Sequence, residues 1–417
     1  MEKSGKFRLT SLERNWILYD VGNSAFVLMV ATLIPIFFNA LAAAGGLSSV
    51  EYLAYWGYAS SAVTIITAVL SPILGTVADT KGFKKPIFIL CVFVGIVGCC
   101  AMGAVSAWLP FLVIFVIAKV GFSGSLVFYD SMLSDVTTPE RMDEVSSRGY
   151  AWGYIGSCVP FVVCLGLVLG AGSIGISQMT ALNLALLLTA AWWLLTTLPL
   201  LKSYKQLYYV EVEKHAVRQS FVRIGHTLRH LPEDKQVFWF LLAFFCYIDG
   251  VYTIIDMATA YGTALGLDTT GLLLALLVTQ IVAFPSALIF GRLSNKYPSA
   301  KLIPVCIAAY AGIAVFAFFL TRQWQFWVLA VIVGMFQGGV QALSRSHFAK
   351  IIPPEKSGEY FGLFDICGKG ASFLGTMIVS VGSQLTGSAN VGVGSLIVLF
   401  IVGFVLFRVS CRQSETA

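Results

Sequence analysis

The chain has 417 residues, of which 58% are hydrophobic and 12% charged, and its formal net charge is +6. Average soluble domains carry about 25% charged residues, and 27 Lys and Arg plus 21 Asp and Glu cannot cover a water-soluble globule of this length. With a mean hydropathy of +0.83, the composition excludes a soluble enzyme or binding domain and indicates an integral membrane protein.

A helix needs about 20 apolar residues to cross the hydrocarbon core. In chain order, apolar runs of that kind fall at 16–43, 52–74, 86–105, 108–133, 149–169, 178–199, 237–264, 269–290, 302–320, 324–345, 359–385 and 390–408. Residues 1–15 are polar, and the run after them is too long for a cleavable leader, so no signal peptide is expected. The longest polar stretch, 200–236, divides six runs from six. The expected organisation is an all-α integral membrane fold with bundles at 1–199 and 237–417 and a linker between. Within the linker, Val217, Phe221, Ile224, Leu228 and Leu231 recur at spacings of four and three, with Arg218, Arg223, His226, Arg229 and His230 elsewhere. That pattern suits a basic amphipathic helix on the inner membrane face; a solvated linker is the alternative.

All but three of the Lys and Arg residues fall on the side shared by both termini, which the positive-inside rule places in the cytoplasm. The exceptions are Arg322 on the other side and Lys119 and Lys369 within spans. The net charge is therefore topological, and its spread over separate segments gives no nucleic-acid site. Of the nine cysteines, all but Cys411 lie inside apolar spans without a Cys-x-x-Cys pair. They read as small hydrophobes, and neither a metal nor a cofactor is implied.

The halves echo each other. Gly75-Thr-Val-Ala-Asp79 recurs as Gly291-Arg-Leu-Ser-Asn295, and Pro139-Glu140-Arg141 recurs at nearly the same offset as Pro354-Glu355-Lys356. Gly75-x-x-x-Asp79-x-x-Gly82-x-Lys84-Lys85 resembles the loop signature of the major facilitator superfamily. Gly75 permits close helix approach, Asp79 accepts from a neighbouring helix N-terminus, Gly82 turns the chain, and the basic pair keeps the loop in the cytoplasm. Thr80 stands where a basic residue is usual, and Asn295 replaces the acid in the second copy. A narrower resemblance, to the vacuole-effluxer family of autophagy-related permeases and their bacterial relatives, runs through Tyr19-Asp20-x-Gly22-Asn23-Ser24-Ala25-Phe26, Tyr247-x-Asp249-Gly250 and Gln337-Gly-Gly-x-Gln341-Ala-Leu-Ser344-Arg345. It continues through Glu359-Tyr-Phe-Gly and Gly368-Lys369-x-x-Ser372-Phe373. The resemblance implies the twelve-helix major facilitator fold in two six-helix bundles, and amino-acid efflux as an activity.

Charged side chains inside a bilayer mark pathways by default. Apart from the boundary residues Glu359 and Arg408, spans three, six, nine and twelve have none; spans one, four, seven and eleven hold Asp20, Lys119, Asp130, Asp249, Asp256, Asp365 and Lys369. Span ten adds Gln337, Gln341 and Arg345. Lys119, Asp249, Gln337, Gln341, Lys369 and Asn23 are the expected solute contacts, with Asp249 or, in its place, Asp256 carrying a coupling proton. Asp20, Asp130, Arg345 and Asp365, with the loop residues Gly75, Asp79, Gly82, Lys84 and Lys85, are expected to gate. Asp365 and Lys369, at i,i+4, are spaced to pair.

Gly121-Phe122-Ser123-Gly124 lacks a basic partner at membrane depth, since His215, His226, His230 and His347 map to loops or their edges. Gly362 to Lys369 lacks the Ser or Thr of a phosphate loop. The expectation is thus a secondary transporter rather than an enzyme. It would be a monomer in the cell membrane, moving a small zwitterionic or anionic solute, with proton coupling. A lipid or lysolipid flippase is the alternative, and a non-transporting receptor the third.

Overall fold

The computed structural model describes residues 7–211 and 216–415. His215 and the side chains of Val217, Arg218, Phe221, Ser372 and Phe373 lie outside that description. Among the described residues, twelve spans are long and apolar enough to cross a membrane. The first is a helix pair, α1 (Ser11–Ala31) and α2 (Leu33–Ala44). Its break at Thr32 follows from Pro35, which has no N–H to donate and whose ring crowds the preceding turn. Then come α3 (Ser49–Ala78), α4 (Lys84–Met102), α5 (Trp108–Ser131), the short α6 (Leu133–Val136), α7 (Met142–Leu169) and α8 (Gln178–Ser203). The linker carries α9 (Ala216–His230). The second half contains α10 (Lys235–Ala264), α11 (Thr269–Leu293), α12 (Ser299–Phe318), α13 (Gln323–Ile351), α14 (Ser357–Thr386), α15 (Ala389–Gly394) and α16 (Ile397–Glu415).

Two six-helix bundles result. In the first, α1 packs on α7 and α8, and α4 on α5; Trp193 fills the centre, stacked on Phe26 and edge-on to Phe122. In the second, α10 packs on α14 and α16, and α13 on α11. The halves meet along α3 with α14, and along α7 with α11 and α13.

The helices extend beyond the expected apolar runs at one end, called here the linker end. Helix α7 begins at Met142 instead of 149, and α13 continues to Ile351 instead of 345. The added turns hold Asp143, Glu144, Arg148, His347 and Lys350. Asp143, Glu144 and Lys350 find partners across the interface between bundles, while Arg148 pairs with Glu144 on its own helix and His347 with Ser299 in its own bundle.

The linker is docked at its start. Asp135 Oδ1 accepts from the Leu207 and Tyr208 amides at 3.0 and 2.9 Å, and its Oδ2 accepts from the Tyr204 hydroxyl at 2.5 Å. Gln206 Nε2 donates to the Ala78 carbonyl at 3.1 Å. Helix α9 packs on the end of α3, burying Ile224 and Thr227 and leaving Val222 and Leu228 exposed. Of the expected apolar face, Ile224 is therefore covered by protein and not by membrane.

Candidate functional site

The linker end is closed by a seam between α3 and α14. Asp79, at the end of α3, is fully buried. Its Oδ1 accepts from the Gly358 amide at 2.7 Å and its Oδ2 from the Glu359 amide at 2.8 Å. One carboxylate from the first half thus caps the N-terminus of a helix in the second, where two amides and the helix dipole favour negative charge. The close approach requires Gly75, since a Cβ there would overlap the Gly358 carbonyl. Gly82 has φ +79°, a left-handed turn that a glycine takes without strain.

Lys84, the first of the basic pair, turns inward. It is fully buried, donates to Ser357 Oγ at 2.8 Å and lies 3.7 Å from Asp79 and 3.5 Å from Asp135. Two carboxylates draw the ammonium inward, and only the Lys85 side of the pair remains partly open to solvent. Burial raises the Asp79 carboxyl to about 6, against the pull of Lys84 and the two amides. In the second copy of the motif, Asn295 Nδ2 donates to Glu144 Oε2 at 2.7 Å, a side-chain bond to α7 in place of a carboxylate cap.

Arg345 of α13 anchors the interface further in. Its Nη1 reaches Asp130 Oδ1 of α5 at 3.0 Å and Asp20 Oδ2 of α1 at 3.7 Å. Its Nε and Nη2 donate to the Ser146 hydroxyl and carbonyl of α7 at 2.9 and 3.0 Å. The guanidinium also stacks 4.3 Å over Tyr150 and 4.7 Å over Trp16. Next to it, Asp143 accepts from Ser346 Oγ and Lys350 Nζ, both at 2.6 Å. Asp135, Asp143, Glu144 and Lys350 were outside the sequence-based site because they flank the apolar runs. The signal that finds them is the repeat: Glu144 and Glu359, and likewise Asp135 and Lys350, share the offset that relates Pro139 to Pro354.

Behind this floor lies a cavity of about 390 Å³ between the bundles. Asn23, Asp256, Gln337, Gln341, Asp365 and Lys369 border it, with Gln280 and the rings of Tyr150, Tyr154, Tyr252 and Phe364. Asp365 and Lys369 pair at 2.5 Å, as the spacing implied, and Ser71 of α3 donates to the same carboxylate oxygen at 2.7 Å. Tyr154 donates to Gln341 Oε1 at 2.9 Å. Asn23 and Gln337 are nearly fully buried at the cavity's edge, next to Asp20 and Tyr154 respectively.

Two expected solute contacts stand elsewhere. Lys119 stands behind the cavity wall, its ammonium 4.7 Å from the Phe122 ring centre and 6.0 Å from that of Phe26, near enough to interact electrostatically with Asp256 and Lys369. Asp249 also lies outside the cavity wall. Its Oδ1 accepts from the Gly375 amide at 2.8 Å and from Thr253 Oγ1 at 3.3 Å, and its Oδ2 is buried without a partner. Close packing of α14 against α10 covers it, so the structure brings Asp256, not Asp249, to the cavity that Lys369 borders.

A sequence profile described as vacuole effluxer Atg22-like matches residues 11–416. The chain belongs to that family. It is 42% identical over 414 residues to YxiO of Bacillus subtilis, described as an uncharacterized MFS-type transporter, covering 98% of this chain and 97% of that one. It is also 28% identical over 283 residues to autophagy-related protein 22 of Saccharomyces cerevisiae, covering 58% of this chain and 53% of that one. The match thus spans about half the length of the yeast protein. Among solved structures, the human organic anion transporter MFSD10 aligns with TM-score 0.72 at 14% identity, over 95% of this chain and 98% of that one. The transporter FucP in its outward conformation aligns with TM-score 0.68 at 16% identity, over 96% and 97% of the two chains. At such identities the likeness is one of fold, and the fold is that of the major facilitator superfamily. The protein is a multi-pass membrane transporter and not an enzyme.

Proposed function

We propose that this transporter moves a small zwitterionic or anionic solute by alternating access. Lys369 holds the anionic end, Asp256 the cationic end where there is one, and Asn23, Gln337 and Gln341 the polar groups between. The observation that carries this reading is a single cavity bordered by Lys369, in its pair with Asp365, and by Asp256, with the linker end sealed by the Arg345 and Asp79 contacts. Burial in a low-dielectric wall strengthens each of these contacts with a charged solute. Amino acids fit the charge pattern, and efflux accords with the family's description. In this reading the linker end faces the cytoplasm, following the Lys and Arg bias, the protein works in the cell membrane, and one chain suffices.

Proton coupling belongs to the same proposal. Asp249 makes no ion pair among the described residues and keeps one oxygen unsatisfied. An isolated buried carboxylate is costly to keep charged, which suits a group that takes and releases a proton as its surroundings change. The lipid-flippase alternative gains no support, because lipid passage calls for a largely apolar lateral opening and this wall carries charges.

Counterflow in liposomes preloaded with amino acids or dicarboxylic acids tests the proposal. Accumulation of labelled zwitterions or carboxylates is expected. Exchange of neutral sugars alone, or no exchange of any solute bearing a carboxylate, would overturn it.

A further inference from the structure

We infer that Asp365 is a positioning residue that reports occupancy of Lys369 to the α3–α14 seam. A solute carboxylate that engages Lys369 withdraws the cation from Asp365 and thereby loosens the closed linker end. The inference rests on the proposed solute reading and adds to it a route from the cavity to the gate.

The seam begins at the cavity. Ser71 Oγ and Lys369 Nζ meet on one oxygen, Asp365 Oδ2, at 2.7 and 2.5 Å. Ser71 belongs to the first bundle and is 2% exposed, whereas Asp365 and Lys369 are two turn-neighbours of α14 that border the cavity. One turn along, Gly362 faces the backbone of Ser71 and Pro72, and a Cβ there would stand 2.5 Å from Pro72 Cα. A further turn along, Gly75 meets Gly358, and Asp79 then caps Gly358 and Glu359. Between the Ser71–Asp365 bond and the Asp79 cap, the contact at Gly362 and Gly75 is backbone against backbone, with no side chain there to absorb a change.

The cation balance makes this contact sensitive. The neighbouring guanidinium of Arg345 is committed to Asp130, Asp20 and Ser146. Lys369 is the cation in ion-pair contact with Asp365. A solute anion that competes for that ammonium also fills the cavity that Asp365 borders, leaving this carboxylate beside Asp130 with the Ser71 hydroxyl as its hydrogen-bond donor. A buried charge without its partner is strongly unfavourable, and parting α3 from α14 admits water to it. Asp365→Asn keeps an acceptor for Ser71 but carries no charge to strand, so it uncouples the seam from Lys369.

The test needs no solute. Spin labels at the exposed loop positions Lys81 and Glu355, in a background without native cysteines, report the distance between the linker ends of α3 and α14 by pulsed electron resonance. Lys369→Gln, which removes the cation as an anion would, is expected to raise the open fraction about tenfold, the weight of a hydrogen bond to a charged group. Lys369→Arg should restore the closed distances, and Lys369→Gln in an Asp365→Asn background should stay closed. Lys369→Met provides a second removal of charge should the glutamine variant fold poorly. Unchanged distances in both neutral variants would overturn the inference, as would equal opening in the Asp365→Asn background. These outcomes are separate from the counterflow result, which decides the solute reading by itself.

Discussion

Asp130 and Arg345 occupy equivalent positions of the two sequence repeats, related by the same offset as Pro139 and Pro354, and their side chains meet at 3.0 Å across the interface between the bundles. Equivalent positions of a duplicated helix that meet near a pseudo-twofold axis would repel if they carried the same charge. Here one copy is acidic and the other basic, so the duplication itself supplies a complementary pair. Asp135 and Lys350 show the same division of sign at the same offset, although each bonds to other partners, Lys84 and Asp143.

Breaking this pair should open the linker end. Arg345→Ala leaves Asp130 and Asp20 without their cation, a loss of about 3–5 kcal/mol when a buried pair is broken from one side. The exchanged variant, Asp130→Arg with Arg345→Asp, should recover part of that. Thermal unfolding in detergent and cysteine labelling from the linker side measure both effects. Equal labelling of wild type and Arg345→Ala would rule out a gating role.

Acid should favour the closed seam. Closure raises the Asp79 carboxyl from its ordinary value of 3.8 to about 6, so the closed state binds the proton more tightly than an opened, hydrated one. Its relative stability is therefore greatest below the ordinary value and is lost as pH rises through about 6. The spin-label distance between the ends of α3 and α14, followed from pH 7.5 to 5, should show closed populations growing with a midpoint near 6. Asp79→Ala should remove this dependence and, by orphaning the Gly358 and Glu359 amides, open the seam at every pH. A wild-type profile in that variant would refute the assignment.

The linker should act as a strap. Arg223 of α9 donates to Glu359 of the second bundle at 3.2 Å and to the Thr76 carbonyl of the first. Arg223→Ala should shift the balance toward the open linker end by about 1 kcal/mol, less than Arg345→Ala because this side chain is partly solvated. Protection of the linker from limited proteolysis should fall in parallel. An unchanged digestion pattern and unchanged distances would remove this role.

Asp249 should matter to coupling more than to solute contact. Asp249→Asn keeps an acceptor for the Gly375 amide but cannot exchange a proton. Uptake driven by a pH gradient should fall at least about tenfold, and exchange at equal pH should persist. Wild-type response to the gradient would leave Asp249 as a buried structural acid.

Much of this was readable from residue order alone, and the limits have a physical cause. Apolar runs are a local property, so twelve spans, the central linker and the helices bearing Asp20, Asp130, Asp256, Asp365 and Lys369 followed from composition and spacing. The Gly75–Asp79 signature carried its own explanation, because a capping carboxylate and a glycine contact leave distinct marks. Hydropathy failed at 142–148 and 346–351, where Asp143, Glu144 and Lys350 read as loop residues but are helical through bonds to the opposite bundle. It failed likewise for Lys84, whose burial depends on Asp135 and Ser357 brought from elsewhere in the chain. Seven-residue spacing put Asp249 and Asp256 on one face of α10, but spacing does not tell which neighbour covers that face at each depth. The Gly375 region of α14 covers Asp249, while Asp256 is left at the cavity.

The division of labour inside the cavity is tested most directly by counterflow with paired substitutions. Liposomes containing wild type, Lys369→Gln or Asp256→Asn would be challenged with a matched set of labelled zwitterion, monocarboxylate and amine. Lys369→Gln is expected to reduce exchange of both carboxylate-bearing solutes at least about tenfold, and Asp256→Asn to reduce the zwitterion while sparing the monocarboxylate. Wild-type exchange of all solutes by both variants would contradict the assignment of this cavity as the solute site.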